Sequence, residues 1–258
     1  MTNELTTRSS RSPRRLVLSD GTYDAIRSLI LEHEISPGQH MSIDQLARDL
    51  SVSQTPVREA LARLEADGLV TKIPLRGYEA THLLSVQQFD DLFQFRGLIE
   101  PWAASEAARR GTRRESDALD AELAKAQQIP RSKLSIAYPE FVEHDTRFHT
   151  IIAKASGNRF IEEAFIRTHC HMHLFRVYKA TLTIQQDEEA RGGEFVQDLF
   201  AEYYRGADRP LALSEHEQIA VAIKTGDLLG SHELMLNHIE SSRQRFAPAV
   251  EALNAMTA

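Results

Sequence analysis

Four residues in the C-terminal two-thirds of the chain have the types and spacing of a metal site. Asp145 and His149 stand at i and i+4 of a helical stretch, so they share one face, as two ligands to one ion would. His216 and His238, on the last two helical stretches, can complete a set of one aspartate and three histidines inside a bundle. Imidazole with one carboxylate suits zinc, nickel or iron, and an open position on such an ion can take a ligand or activate water. Spacing alone leaves a second reading open, in which these are four unrelated polar residues. A competing cluster, His169-Cys170-His171-Met172-His173, puts His169 and His173 on one helix face beside a soft thiol. Its plain alternative is an exposed His-rich stretch with Cys170 as a small buried hydrophobe.

A second set of residues, near the N-terminus, can read nucleic acid. The segment Ser53-Gln54-Thr55-Pro56-Val57-Arg58 opens a short helix, and Gln54, Thr55, Arg58 and Arg63 fall on its outward face. An arginine can clamp a guanine edge bidentately, and a glutamine can pair with an adenine. Ser51, Ser53 and Thr55 beside the helix start suit phosphate oxygens. Arg76 and Gly77, at the tip of a short hairpin, would meet the backbone or the minor groove. The alternative is a solvated face in which Arg58 and Arg63 pair with Glu59 or Asp67.

The elements that must position these residues are marked by periodicity and punctuation. Residues 23–34 carry apolar positions at helical spacing and stop before Ser36-Pro37-Gly38, a turn signal. Ser42 and Gln45 form the S-x-x-Q pattern of a capped helix. The next helix has Ser53 or Thr55 as its cap, Pro56 in its first turn and Gly68 at its end, and buries Val57, Ala60, Leu61 and Leu64. Two strands, 69–73 and 78–81, follow. Three helices and a hairpin describe a winged helix-turn-helix. Beyond His82 the pattern is helical throughout: 85–110, 115–128, 138–155, 159–186, 213–225 and 227–246, with 187–212 read as a loop or short irregular helix.

Composition restricts the rest. The chain has 258 residues, 42% hydrophobic and 26% charged, as in globular proteins. No stretch approaches the roughly 18 apolar residues of a membrane span. Residues 1–15 hold four arginines and little to bury, which predicts a disordered basic tail without a signal-peptide core. With one cysteine, Cys170, no internal disulfide can form. A cytoplasmic protein is therefore expected. The net charge is −7, with −1 in residues 1–82 and −6 in the remainder, so DNA binding would rest on a few placed arginines and on dimerisation.

The stretch PGQHMSIDQLARDLSVSQTPVREALARLEADGLVTKIPLRGYEAT resembles the winged helix of GntR-family bacterial regulators. The family carries arginine where Gln54 stands, a departure that leaves open the base read there. HDTRFHTIIAKASGNRFI, EHEQIAVAIKTGD and LNHIE resemble the FCD ligand-binding domain of the FadR-type subfamily. The resemblance implies a mainly α protein: a basic tail over 1–15, a winged helix-turn-helix over 16–82, and an all-α antiparallel bundle over 83–250. It also implies that Asp145, His149, His216 and His238 hold a divalent metal, commonly zinc, with nickel or another ion possible. Arg96 in FRGLIEPWAA would meet a small carboxylate effector, unless it pairs with Glu100. Asn158 would serve as a cap or turn residue. The implied protein is a homodimeric transcription regulator, a repressor in this reading, on a pseudo-palindromic operator. Rival readings are a metal sensor, in which the ion is the signal, and a metal-dependent hydrolase.

Overall fold

The computed structural model describes residues 13–130, 134–184 and 211–257. Contacts divide the chain into two compact units, Met1–His82 and Leu83–Ala258. The tail expected over 1–15 lies outside the described residues up to position 12; Pro13 opens the first helix, where a missing N–H does no harm.

In the first unit, α1 (Pro13–Leu31) packs on α3 (Gln54–Ala66), with α2 (Ile43–Asp49) beside them. The α1 helix starts well before residue 23, where apolar periodicity begins. Its buried face runs Ser19, Thr22, Ile26, Ile30, so two small polar residues continue the apolar stripe and conceal it from a hydrophobicity count. Ser42 caps α2 by accepting from Gln45 N at 3.3 Å, one half of the expected box. The α3 helix buries Val57, Ala60, Leu61 and Leu64 completely. Strands β1 (His40–Met41), β2 (Val70–Ile73) and β3 (Gly77–Ala80) form an antiparallel sheet in the order β1-β3-β2, in register at Met41↔Tyr78 and Ile73↔Gly77. With only two residues, β1 has no alternation to recognise, and the hairpin gains a strand that the sequence did not predict. Gly77 has φ 103, a conformation open to glycine and strained for other residues.

The second unit is helical among its described residues: α4 (Val86–Arg110), α5 (Arg113–Ala126), α6 (Leu134–Ala155), α7 (Arg159–Thr168), α8 (Cys170–Ile184), α9 (Leu211–Thr225) and α10 (Leu228–Thr257). Its first and last helices, α4 and α10, pack along each other, and α6 lies among α4, α5, α7 and α8. Ser85 and Gln88 form a complete capping box at the start of α4. The single helix expected over 159–186 is broken at His169, which takes a left-handed φ of 45 and caps α7. That joint carries no glycine, so nothing in the sequence announces it. The α10 helix continues past Phe246 and through Pro248, because Ala249, Val250 and Leu253 prolong its buried face. Most of the segment expected as a loop, 187–210, lies outside the described residues; Leu211 and Ala212 open α9.

Candidate metal centre and nucleic-acid interface

The buried stripe of each helix carries the polar residues of the centre. On α4 the stripe runs Phe89, Phe93, Arg96, Glu100, Ala103, Ala107, so two charged residues stand within an apolar face. His149 on α6, His216 on α9 and His238 on α10 occupy equivalent buried positions. Their ligand atoms lie within 4.8 Å of one another. The Nε2 atoms of His149 and His238 are 3.2 Å apart, and those of His216 and His238 are 3.3 Å apart.

The hydrogen bonds on the opposite ring nitrogens decide what faces that point. His149 Nδ1–H donates to Glu100 Oε2 at 2.5 Å, and His238 Nδ1–H donates to Glu215 Oε2 at 2.8 Å. His216 Nδ1 lies 3.0 Å from His144 Nε2, and His144 Nδ1 lies 3.1 Å from Glu122 Oε1; a carboxylate oxygen can only accept, which makes His144 Nδ1 the donor and leaves its Nε2 to accept from His216. Burial lowers the pKa of all three histidines, His149 to about 4, so the rings are neutral near pH 7. A neutral imidazole has one N–H. With each proton spent outward, three bare Nε2 lone pairs converge with no donor between them. A cation satisfies that arrangement, and histidines whose far nitrogen is held by a carboxylate are the usual ligands of one. The residues present therefore fit a metal ion.

Of the four residues with metal spacing, the structure brings three together and leaves the fourth beside them. Asp145 Oδ1 lies 3.9 Å from His216 Nδ1, the ring nitrogen turned away from the three-nitrogen point. Asp145 lines a small cavity of about 10 Å³, room for about one water, with Arg96, Tyr138, His171, His238 and Ser242. Burial pushes its carboxyl up to about 7, against the lowering pull of Arg96 and Arg245. Arg96 is buried and does pair with Glu100, through Nε to Oε1 at 2.5 Å and Nη2 to Oε2 at 3.4 Å. Burial opposes its charge, but the acidic groups Cys170, Glu100 and Asp145 hold its pKa above the ordinary value. Arg96 is thus both the partner of Glu100 and a wall of the cavity.

Periodicity did not find Glu122, His144, His171 or Glu215. Their roles come from pairings across helices, which no single-helix spacing reveals. The His-rich run held one clue. His169 caps α7 with a left-handed backbone, whereas His171 is buried with its ring centroid 5.0 Å from that of His149. Cys170 is buried, and burial raises its thiol to about 12. Asn158 is a cap: its Oδ1 accepts from Phe160 N at 3.0 Å and Ile161 N at 3.4 Å.

In the first unit, Ser53, Gln54, Thr55 and Arg58 are exposed at the start of α3, and Arg76 at the wing tip is exposed beside the half-buried Gly77. Gln54 Nε2 donates to Asp44 Oδ1 at 2.6 Å, and Arg58 Nη2 donates to Gln54 Oε1 at 3.3 Å, so α2 and α3 hold one another's polar side chains in place. Arg63 is engaged elsewhere. It pairs with Asp20 at 2.6 Å and covers the Tyr23 ring at 4.1 Å.

A three-helix winged unit with hydrogen-bonding side chains at the start of its second motif helix defines a DNA-binding protein. The second unit is a helical bundle with a buried cluster of histidines and carboxylates at its centre. Residues 91–241 match the FCD domain, and residues 18–79 match the description "Bacterial regulatory proteins, gntR family". The chain belongs to the GntR family of DNA-binding transcription regulators, with an FCD effector domain. It is 27% identical over 235 residues to the Uxu operon transcriptional regulator of Escherichia coli, covering 85% of this chain and 83% of that one. Against the HTH-type transcriptional repressor GlaR of Escherichia coli it is 29% identical over 144 residues, 54% of this chain and 63% of that one. The solved structure of E. coli McbR/YncC superposes with a TM-score of 0.58 at 18% identity, covering 89% of this chain and 96% of that one, which shows a shared fold. These are families of regulators, not enzymes, and the hydrolase reading falls. Among the described residues no helix is long and apolar enough to cross a membrane.

Proposed function

We propose that this regulator represses transcription as a homodimer on a pseudo-palindromic operator, and that a divalent ion and a small carboxylate in its helical unit tune that binding. The observation that carries the reading is the convergence of three bare imidazole nitrogens, at 3.2 and 3.3 Å, beside a buried polar cavity. His149, His216 and His238 would hold the ion, and Asp145, which lies on the outer side of His216, would have to turn its carboxylate toward them to serve as the oxygen donor. Zinc is favoured, nickel being the nearest competitor for this donor set. When bound, the ion supplies a Lewis-acidic anchor for a carboxylate. Arg96 adds fixed positive charge to the cavity, while Tyr138, Val142 and Phe246 give it apolar walls. Repression has support in GlaR, which is described as a repressor.

On the operator, Arg58 and Gln54 would meet base edges, Ser53 and Thr55 phosphates, and Arg76 with Gly77 the adjacent backbone or minor groove. Arg63, tied to Asp20 and Tyr23, would steady α3 or reach a phosphate.

Metal-stripped protein titrated with zinc tests the site. About one ion per chain is expected, and none in a His149→Ala/His238→Ala variant. Equal binding by the variant would overturn the assignment. Operator affinity measured with zinc alone, and again with small dicarboxylates present, separates the two regulatory readings. A response to zinc alone would make the ion itself the signal.

A further inference from the structure

His216 differs from His149 and His238 in how its outer nitrogen is held. Those two donate directly to carboxylates, Glu100 and Glu215. His216 donates to a second imidazole, His144, and only that ring reaches a carboxylate, Glu122. All three members of this relay are nine-tenths or more buried, on α9, α6 and α5 respectively. Glu122 is anchored at its far side by Arg147, whose Nε lies 3.0 and 2.9 Å from the two carboxylate oxygens. Every hydrogen bond in the relay thus has a definite direction, running outward from His216.

The direction matters because His216 belongs to two clusters. Through Nε2 it faces His149 and His238; through Nδ1 it faces His144 and Asp145, another group whose ligand atoms lie within 4.8 Å of one another. An ion in the second cluster would need a bare Nδ1 on His216, which moves the proton to Nε2 and places it among the three converging nitrogens. The two clusters cannot both be built from neutral rings. Glu122 favours one of them, by accepting the hydrogen bond of His144 Nδ1–H and so leaving His144 Nε2 to accept.

We propose that His144 and Glu122 are positioning residues whose relay fixes the His216 proton on Nδ1, and so selects the His149/His216/His238 cluster over the His144/Asp145/His216 cluster. This rests on the metal reading above only for its consequence; the proton placement itself needs no ion.

The test separates the two. Long-range ¹H–¹⁵N correlation on metal-stripped, histidine-labelled full-length protein reports which nitrogen of His216 carries its proton, and chelator competition reports zinc affinity. In the wild type the proton is expected on Nδ1. In His144→Phe it is expected to shift toward Nε2, and zinc affinity to fall about 10–100-fold. In His144→Gln the amide oxygen can accept from His216 while the amide nitrogen donates to Glu122, so both readouts are expected to return toward wild type. A bare Nδ1 in the wild type, or an unmoved proton in a folded His144→Phe, would overturn the relay, even if zinc affinity fell. A proton on Nδ1 in a wild type that binds no zinc would support the relay and overturn the metal reading alone.

Discussion

Glu100 accepts from two donors at once, Arg96 Nε and His149 Nδ1, and all three groups are buried. Removing its charge leaves a guanidinium in the core without its hydrogen-bonded carboxylate. Glu100→Gln is expected to cost about 3–5 kcal/mol in denaturant unfolding, and an apolar Arg96→Met/Glu100→Leu double variant to recover most of that loss. His173 gives a pH signature. Burial first, then the charges of Arg176 and His169, depress it to about 4 from an ordinary 6.5. A proton therefore binds the unfolded chain more tightly than the folded one. The stability contributed is present above the ordinary pKa and is lost as pH falls toward about 4. The melting temperature should drop over that window in metal-stripped protein, and less steeply in His173→Leu. At this scale the convergence of His149, His216 and His238 is legible only through the family resemblance, since the i, i+4 spacing pairs His149 with Asp145, which lies beside the group and not within it. Their outer partners are not legible: Glu122, His144 and Glu215 meet the ligands only after helices far apart in sequence pack together.

The break between α6 and α7 concentrates two local devices. Gly157 has φ +69, and a Cβ there would come within 2.3 Å of Arg110 Cζ. The arginine tip can move, so the residual cost of Gly157→Ala is the left-handed backbone, about 1–2 kcal/mol. Asn158→Ala removes the cap of α7 and should cost about 1 kcal/mol. Thermal unfolding of the two variants checks both figures. Gly157-Asn158 was legible because these residue types have few other uses. The joint at His169 was not, since a histidine in that conformation is imposed by its surroundings. The face of α3 is legible residue by residue, because its four buried positions are all apolar. The early start of α1 has no apolar mark in the sequence, because Ser19 and Thr22 occupy buried positions where apolar residues would have shown it.

For the whole molecule, the two units predict separable defects. Arg58→Ala should weaken operator binding by about 1–3 kcal/mol and relax the base preference at one position, whereas Arg76→Ala should weaken all sequences alike and lower the salt dependence by about one counterion. Equilibrium binding at several salt concentrations distinguishes them. Chelation should leave the winged unit folded and lower the melting transition of the helical unit, because an ion at 1,000 times its Kd adds about 4 kcal/mol. One long helix also ties distant parts of the helical unit together. The α10 helix carries His238, the cavity residues Ser242 and Phe246, and finally Asn254, whose Nδ2 donates to the carbonyl of Leu84 at 3.1 Å. At 1.5 Å per residue, His238 and Asn254 are about 24 Å apart along one rod. The rod begins beside the cavity and ends hooked to the segment where the chain leaves for its DNA-reading half. A protein shortened to end at Leu253 keeps every cavity residue and loses the hook. Its zinc affinity should match the full chain, while the effect of zinc on operator affinity should shrink, as a handle still turns after its linkage has been uncoupled.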